Sequence, residues 1–171
     1  MKAEDDIQKY EMALWHVLHV RPRCEKKLAK YCDSVNLEHY LPLRTERKVY
    51  QRRKVDVLKP LFPGYVFAKF NAFQRILVLK SQQIVHILQV KDQVGLINEL
   101  NQIRQALEVD PCLNACPAVE QGTLVRIISG PFQGMEGMVA TLKDQTRVVL
   151  NVDIIGKGVP LVTDLDILER L

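Results

Sequence analysis

The chain lacks several things, and each absence narrows what it can be. It has no apolar run of roughly 18 residues, so no transmembrane helix is expected. Residues 1–10 are polar and acidic, without the basic start and apolar stretch of a signal peptide, so the chain is expected to stay in the cytosol. There are only four cysteines, Cys24, Cys32, Cys112 and Cys116. Cys112 and Cys116 form a C-x3-C pair, but neither a second pair nor a nearby histidine completes a four-ligand zinc site, so free thiols and no metal are expected. No glycine-rich phosphate loop and no spaced nucleophile–base pair occurs, which argues against an enzyme and against a bound cofactor.

The composition that remains is globular: 47% hydrophobic and 26% charged over 171 residues, which suits one ordinary domain, or one medium domain and one very small one. The net charge of +4 is unevenly divided. Residues 1–108 carry 19 Lys/Arg against 12 Asp/Glu, and residues 109–171 carry 5 against 8. A basic half suits nucleic acid, although charge alone is equally compatible with a plain solvated face.

Hydrophobic period gives the order of elements. Residues 14–20 read as a buried strand, and residues 23–34, after Pro22, as an amphipathic helix carrying Glu25, Leu28, Ala29 and Cys32 at helical spacing. Residues 37–43 read as a second strand closed by Pro42. Residues 44–59 hold seven basic side chains and two acids with Val49, Tyr50, Val55 and Val57 interleaved, which predicts an exposed basic hairpin. Then come a strand at 65–70, a short helix at 73–80, a strand at 84–90 and a helix at 94–107. This order predicts an α+β fold: a ferredoxin-like split β-α-β N-terminal domain with a basic hairpin insertion. Residues 109–120 have two prolines and no period, so they read as a linker whose ends lie roughly 20 Å apart, and at most about 40 Å. Residues 121–171 contain short apolar strands at 124–128, 137–142, 148–152 and 154–155 between Gly/Pro/Asp turns. With one further short strand, making five in 51 residues, they predict a small closed SH3-like barrel.

Two motifs add a resemblance. The first is Phe62-Pro63-Gly64-Tyr65, preceded by Leu61 and followed by Val66-Phe67. The second is Val125-Arg126-Ile127-Ile128-Ser129-Gly130-Pro131-Phe132-Gln133-Gly134, continuing into Met135-Glu136-Gly137. With Trp15 opening the first strand and Ile154-Ile155-Gly156-Lys157 near the end, they resemble the NusG family of transcription elongation factors over roughly residues 12–171. The Leu61-Phe62-Pro63-Gly64-Tyr65 stretch after the Arg/Lys-rich hairpin, together with Tyr40-Leu41-Pro42-Leu43, resembles that family's specialised RfaH-like antiterminator paralogues; a housekeeping NusG-type factor modulating Rho termination and a ribosome- or RNA-binding KOW protein are the alternatives.

The resemblance implies an NGN-like RNA polymerase-binding domain over 10–108, a linker over 109–120 and an SH3-like KOW β-barrel over 121–171. It implies a cytoplasmic, monomeric factor that suppresses pausing and promotes processive transcription. Trp15, Tyr65, Phe67, Ile87 and Val90 would grip the clamp helices of RNA polymerase. Arg21, Arg23 and Lys27, with Arg75 on the same side, would meet the non-template DNA strand, and Arg52, Arg53 and Lys54 would face polymerase or upstream DNA. Ile154, Ile155 and Lys157 would contact a ribosomal small-subunit protein or Rho; strand alternation turns one of the two neighbouring isoleucines into the core, and Ile155 is expected outside. One family member stores its C-terminal domain as a helical hairpin; Gly130, Pro131, Gly134 and Gly137 argue against that state here, because an interior proline costs a helix about 3 kcal/mol and a glycine about 1.

Overall fold

The computed structural model describes residues 11–142 and 145–171. Residues 1–10, on which the reading of the N-terminus rests, lie outside them. The chain divides into two compact units: residues up to Pro42 with Phe62–Gln93, and Leu43–Leu61 with Val94–Leu171.

The first unit contains β1 (Leu14–Val20), α1 (Glu25–Ser34), β2 (His39–Tyr40), β5 (Tyr65–Phe70), α2 (Arg75–Lys80) and β6 (Ile84–Gln89). Its strands form one antiparallel sheet in the order β2-β5-β1-β6. β1 is central, and Val17, Leu18 and Val20 are fully or almost fully buried, which explains its continuous apolar run. Leu18, Val20, Val66, Ala68 and Phe70 face a core shared with Leu28 and Cys32 of α1 and Val78 of α2.

Three elements of this unit shift by two residues or more from the periodicity. α1 starts at Glu25 rather than residue 23, because Pro22 is followed by Arg23 with φ at +63°. β2 shrinks to two residues, because Pro42 has no N–H for a ladder. α2 starts at Arg75 behind a reciprocal box in which Asn71 Oδ1 accepts the Gln74 N–H at 2.9 Å and Gln74 Oε1 accepts the Asn71 N–H at 3.1 Å.

The second unit begins with a ribbon, β3 (Leu43–Tyr50) and β4 (Arg53–Pro60), paired without interruption from Leu43↔Pro60 to Tyr50↔Arg53. The two-residue connection, Gln51 and Arg52, has φ of +47° and +65°, the sign pattern of a type I′ turn. Helix α3 (Gln93–Val109) buries Leu96, Leu100, Ile103 and Ala106 along one stripe.

The rest is a single antiparallel sheet of six strands in the order β12-β8-β9-β10-β11-β7. These are β7 (Cys116–Pro117), β8 (Thr123–Ile127), β9 (Glu136–Leu142), β10 (Gln145–Val152), β11 (Lys157–Leu161) and β12 (Leu168–Arg170). The sheet differs from five strands closed into a barrel: the short β7 joins β11 from within residues 109–120, and no pairing joins β12 to β7 among the described residues. Ile154 and Ile155 are not a strand either. They lie in the 3-10 turn Asp153–Ile155, where Asp153 C=O accepts the Gly156 N–H at 3.0 Å and Gly156 takes φ +61° to reverse the chain. The described residues of 121–171 contain no α-helix.

Candidate functional site

Strand register decides which candidate residues share a surface. Trp15 sits opposite Lys69, Val17 opposite Phe67 and His19 opposite Tyr65. Side chains alternate along a strand, so Trp15, Val17, His19, Tyr65 and Phe67 belong to the face turned away from α1 and α2. On β6, His86 sits opposite His19 and Leu88 opposite Val17, which puts both on this face. Ile87 sits opposite Leu18 and packs against the helical core, so it does not join Trp15 and Tyr65. Grouping Ile87 with them is corrected by this register. Phe67 is fully buried at the centre of the face and offers no exposed surface.

Trp15 and Tyr65 are half-buried and lie toward opposite ends of β1, four residues or about 13 Å apart. At the Tyr65 end, the His19 ring stacks on Tyr65 with centroids 5.4 Å apart, and His86 is exposed. His19 and His86 were missed because histidines inside apolar runs carry no periodic signal of their own. At the other end, Gln93 Oε1 accepts the Trp15 N–H at 2.8 Å while Gln93 Nε2 donates to the carbonyls of Trp15 and Val90 at 2.9 and 3.1 Å. That side chain extends the ladder of β1 and fixes half-buried Val90 beside Trp15.

The Phe62-Pro63-Gly64-Tyr65 motif is a tight turn. Proline presets the first central position, Gly64 takes φ +87° at the second, and the Tyr65 N–H reaches the Phe62 carbonyl at 3.2 Å, as in a type II turn. The Gly64 carbonyl accepts the Val20 N–H at 2.8 Å, and the Gly64 N–H donates to Glu25 Oε1 at 2.7 Å. Glu25 is 5% exposed, so the first turn of α1 locks the turn that launches Tyr65.

The cations fall into three groups. Arg21, Arg23 and Lys27 are exposed where β1 ends and α1 begins. The Arg21 N–H donates to the Gln83 carbonyl at 2.9 Å, so this end of the unit also receives the end of α2, with exposed Lys80. Arg75 opens α2 just after Phe70, which pairs with Leu14 at the far end of the sheet. It therefore does not stand beside Arg21, and the expectation of a shared side is corrected.

Arg75 lies by His16 instead. His16 stacks on Phe70 at 4.0 Å and loses proton affinity through burial, with the Leu14 carbonyl opposing and Arg75 adding to the loss.

In the second unit, Arg52, Arg53 and Lys54 crown the ribbon, all exposed. The two acids of the ribbon are engaged lower down. Glu46 is held by Arg44, Lys48 and Lys59, which keep its carboxyl below the usual range, Lys59 contributing most; Asp56 is held by Arg47. Among the described residues, no ion pair engages Arg52, Arg53 or Lys54.

In the C-terminal sheet, Lys157 is exposed and Ile154 half-buried, but Ile155 is 8% exposed. The outward Ile155 is corrected: the 3-10 turn rotates it into the core. Arg126 on β8 bridges Glu136 on β9 at 2.6 Å and Glu169 on β12 at 3.9 Å, a cross-strand clasp over three strands. The described residues include no group of three or more His, Cys, Asp or Glu arranged for a metal, and burial pushes the Cys32 thiol up to about 11.

The family model described as "Transcription termination factor nusG" matches residues 13–107. This chain belongs to the NusG family.

Its relatives include the transcription elongation factor Spt5 of Sulfolobus acidocaldarius, 32% identical over 97 residues, a stretch that is 56% of this chain and 59% of that protein. They also include the transcription termination/antitermination protein NusG of Staphylococcus carnosus, 23% identical over 92% of this chain and 95% of that one. A solved structure entitled "Domain interaction in Thermotoga maritima NusG" shares the mixed α+β fold, with a TM-score of 0.51 and 21% identity over 93% of this chain and 97% of its own. The family consists of transcription elongation and termination factors, not enzymes. No helix among the described residues is long and apolar enough to cross a membrane.

Proposed function

We propose that this NusG-family chain is an elongation and antitermination factor that binds RNA polymerase, suppresses pausing and keeps transcription processive. The observation that carries the reading is the sheet face built around Tyr65. An aromatic and imidazole surface, Tyr65 with His19 and His86, stands over fully buried Val17 and Phe67, with half-buried Trp15 at the far end. Half-exposed aromatics on a rigid, well-packed base are what protein interfaces use as anchors. The clamp helices of polymerase are the proposed partner. Binding that favours the elongating conformation over the paused one would do the work, and no chemistry is needed.

The finer architecture is part of the proposal. The strand order β2-β5-β1-β6, with one strand inserted inside each β-α-β crossover, supports a ferredoxin-like NGN domain over residues 10–108. The five strands β8 to β12 with their glycine turns support an SH3-like KOW domain over 121–171, and residues 109–120 before it supply the short β7. Arg21, Arg23 and Lys27, joined by Lys80, are the proposed contacts to non-template DNA. Lys157 and Ile154 are the proposed contacts to a ribosomal small-subunit protein or Rho. The cation-rich ribbon ahead of Leu61 supports the specialised branch of the family, and a cytoplasmic setting follows from the proposed partners.

The test is a single-round transcription assay with purified polymerase. The chain is expected to shorten dwell times at pause sites, and Tyr65→Ala to remove most of that effect. Unchanged pausing with saturating wild-type protein would refute the reading.

A further inference from the structure

The tip of the β3–β4 ribbon carries a feature that a phosphate-contacting patch does not require. Tyr50 is 71% exposed, and so is its neighbour Val49. Tyr50 sits directly opposite Arg53 on the other strand, so the two side chains share one face of the ribbon with Cβ atoms about 5 Å apart. Beside them, Arg52 stands at the apex in a left-handed conformation. That conformation strains an arginine, and glycine or asparagine would hold the turn more easily. The apex thus presents a cation from a strained turn position.

We propose that Tyr50 is a stacking platform for an unpaired nucleic-acid base, with Arg53 and Arg52 taking the flanking phosphates. This deepens the proposed function and rests on that reading. Two observations select this occupant. Residues 44–59 carry seven cations against two acids, and both acids are already engaged within the ribbon, which leaves an unbalanced positive tip suited to phosphate. Tyr50 is a large apolar ring exposed in the middle of that charge, and a base offers a flat face to cover it. A duplex keeps its bases stacked inside and would use only the cations, so the ring favours single strands. DNA and RNA single strands share this chemistry, and the experiment tells them apart.

The experiment uses the full chain with three 12-nucleotide probes: oligo-dT and oligo-U, each carrying one 2-aminopurine, and a DNA duplex. Wild type is expected to quench 2-aminopurine and to bind single strands more tightly than duplex. Tyr50→Ala is expected to lose single-strand affinity by about ten-fold and to abolish the quench, with duplex affinity and salt slope unchanged. Tyr50→Phe retains both. Arg52→Ala with Arg53→Ala instead lowers the single-strand salt slope by about 1.4. A preference for oligo-dT or oligo-U names the natural strand, and equal binding means that backbone and base face suffice. Tyr50→Ala binding single strands like wild type, or losing single strand and duplex equally, overturns the proposal. Polymerase binding measured on the same samples separates the two failures: intact binding leaves the proposed function standing, and its absence in wild type removes that as well.

Discussion

Glu25 and Gly64 are 39 residues apart and joined by one hydrogen bond, the Gly64 N–H donating to the buried Glu25 carboxylate at 2.7 Å. It ties the first helix to the turn before Tyr65, so the geometry of the proposed contact face depends on a residue outside it. Removing the acceptor strands a backbone N–H. Glu25→Ala is expected to cost about 1–3 kcal/mol in urea unfolding, and Glu25→Gln, which keeps an oxygen there, clearly less. Equal losses would show that the bond does not hold the turn.

His16 gives a pH dependence with a definite sign. Its folded proton affinity lies below the ordinary value of 6.5, chiefly through burial, so the unfolded chain binds the proton more readily. Stability from this group is therefore complete above about pH 6.5 and declines as pH falls from there toward the folded value. His16→Gln is expected to flatten the fall of Tm between pH 7 and pH 5, and an unaltered slope would exclude His16 as its source.

Two glycines in the C-terminal sheet should answer differently to alanine. A Cβ at Gly137 would lie 2.6 Å from the Val149 carbonyl oxygen, backbone that cannot step aside. Gly134 has φ +87° but nothing within 4 Å. Thermal unfolding should show Gly137→Ala losing about 1–3 kcal/mol or more, and Gly134→Ala about 1. The reverse order would contradict this packing of β9 against β10.

The ribbon apex predicts a trade. Arg52→Gly relieves a left-handed arginine and is expected to stabilise the second unit by about 1 kcal/mol while weakening nucleic-acid binding. Gain of stability without loss of binding would remove Arg52 from the contact.

Much of this was legible in the sequence. The apolar run at β1, the stripe of α3, the alternating basic ribbon and the glycine-rich turns each carry a local signal, and each became the expected kind of element. What failed depends on pairing between distant residues. Ile87 looked equivalent to its apolar neighbours on β6, and only its position opposite Leu18 sends it to the helical face. Arg75 looks close to Arg21 because both stand at helix starts in the sequence, but α1 and α2 start at opposite ends of the sheet. Ile155 was read by strand alternation, and the 3-10 turn rotates it inward. His19 and Glu25 act through partners 46 and 39 positions away, His19 on Tyr65 and Glu25 on Gly64, which no single-sequence period reports.

The proposed docking of the Tyr65 face on RNA polymerase is tested most directly by the affinity of the full chain for an assembled elongation complex. Tyr65→Ala is expected to weaken binding by about thirty-fold, as the loss of an anchor residue does. Ile76→Ala on the exposed side of α2, where Ile76 is 60% exposed, should leave binding unchanged. If Tyr65→Ala binds like wild type, or Ile76→Ala costs as much, the docking face is not the one described.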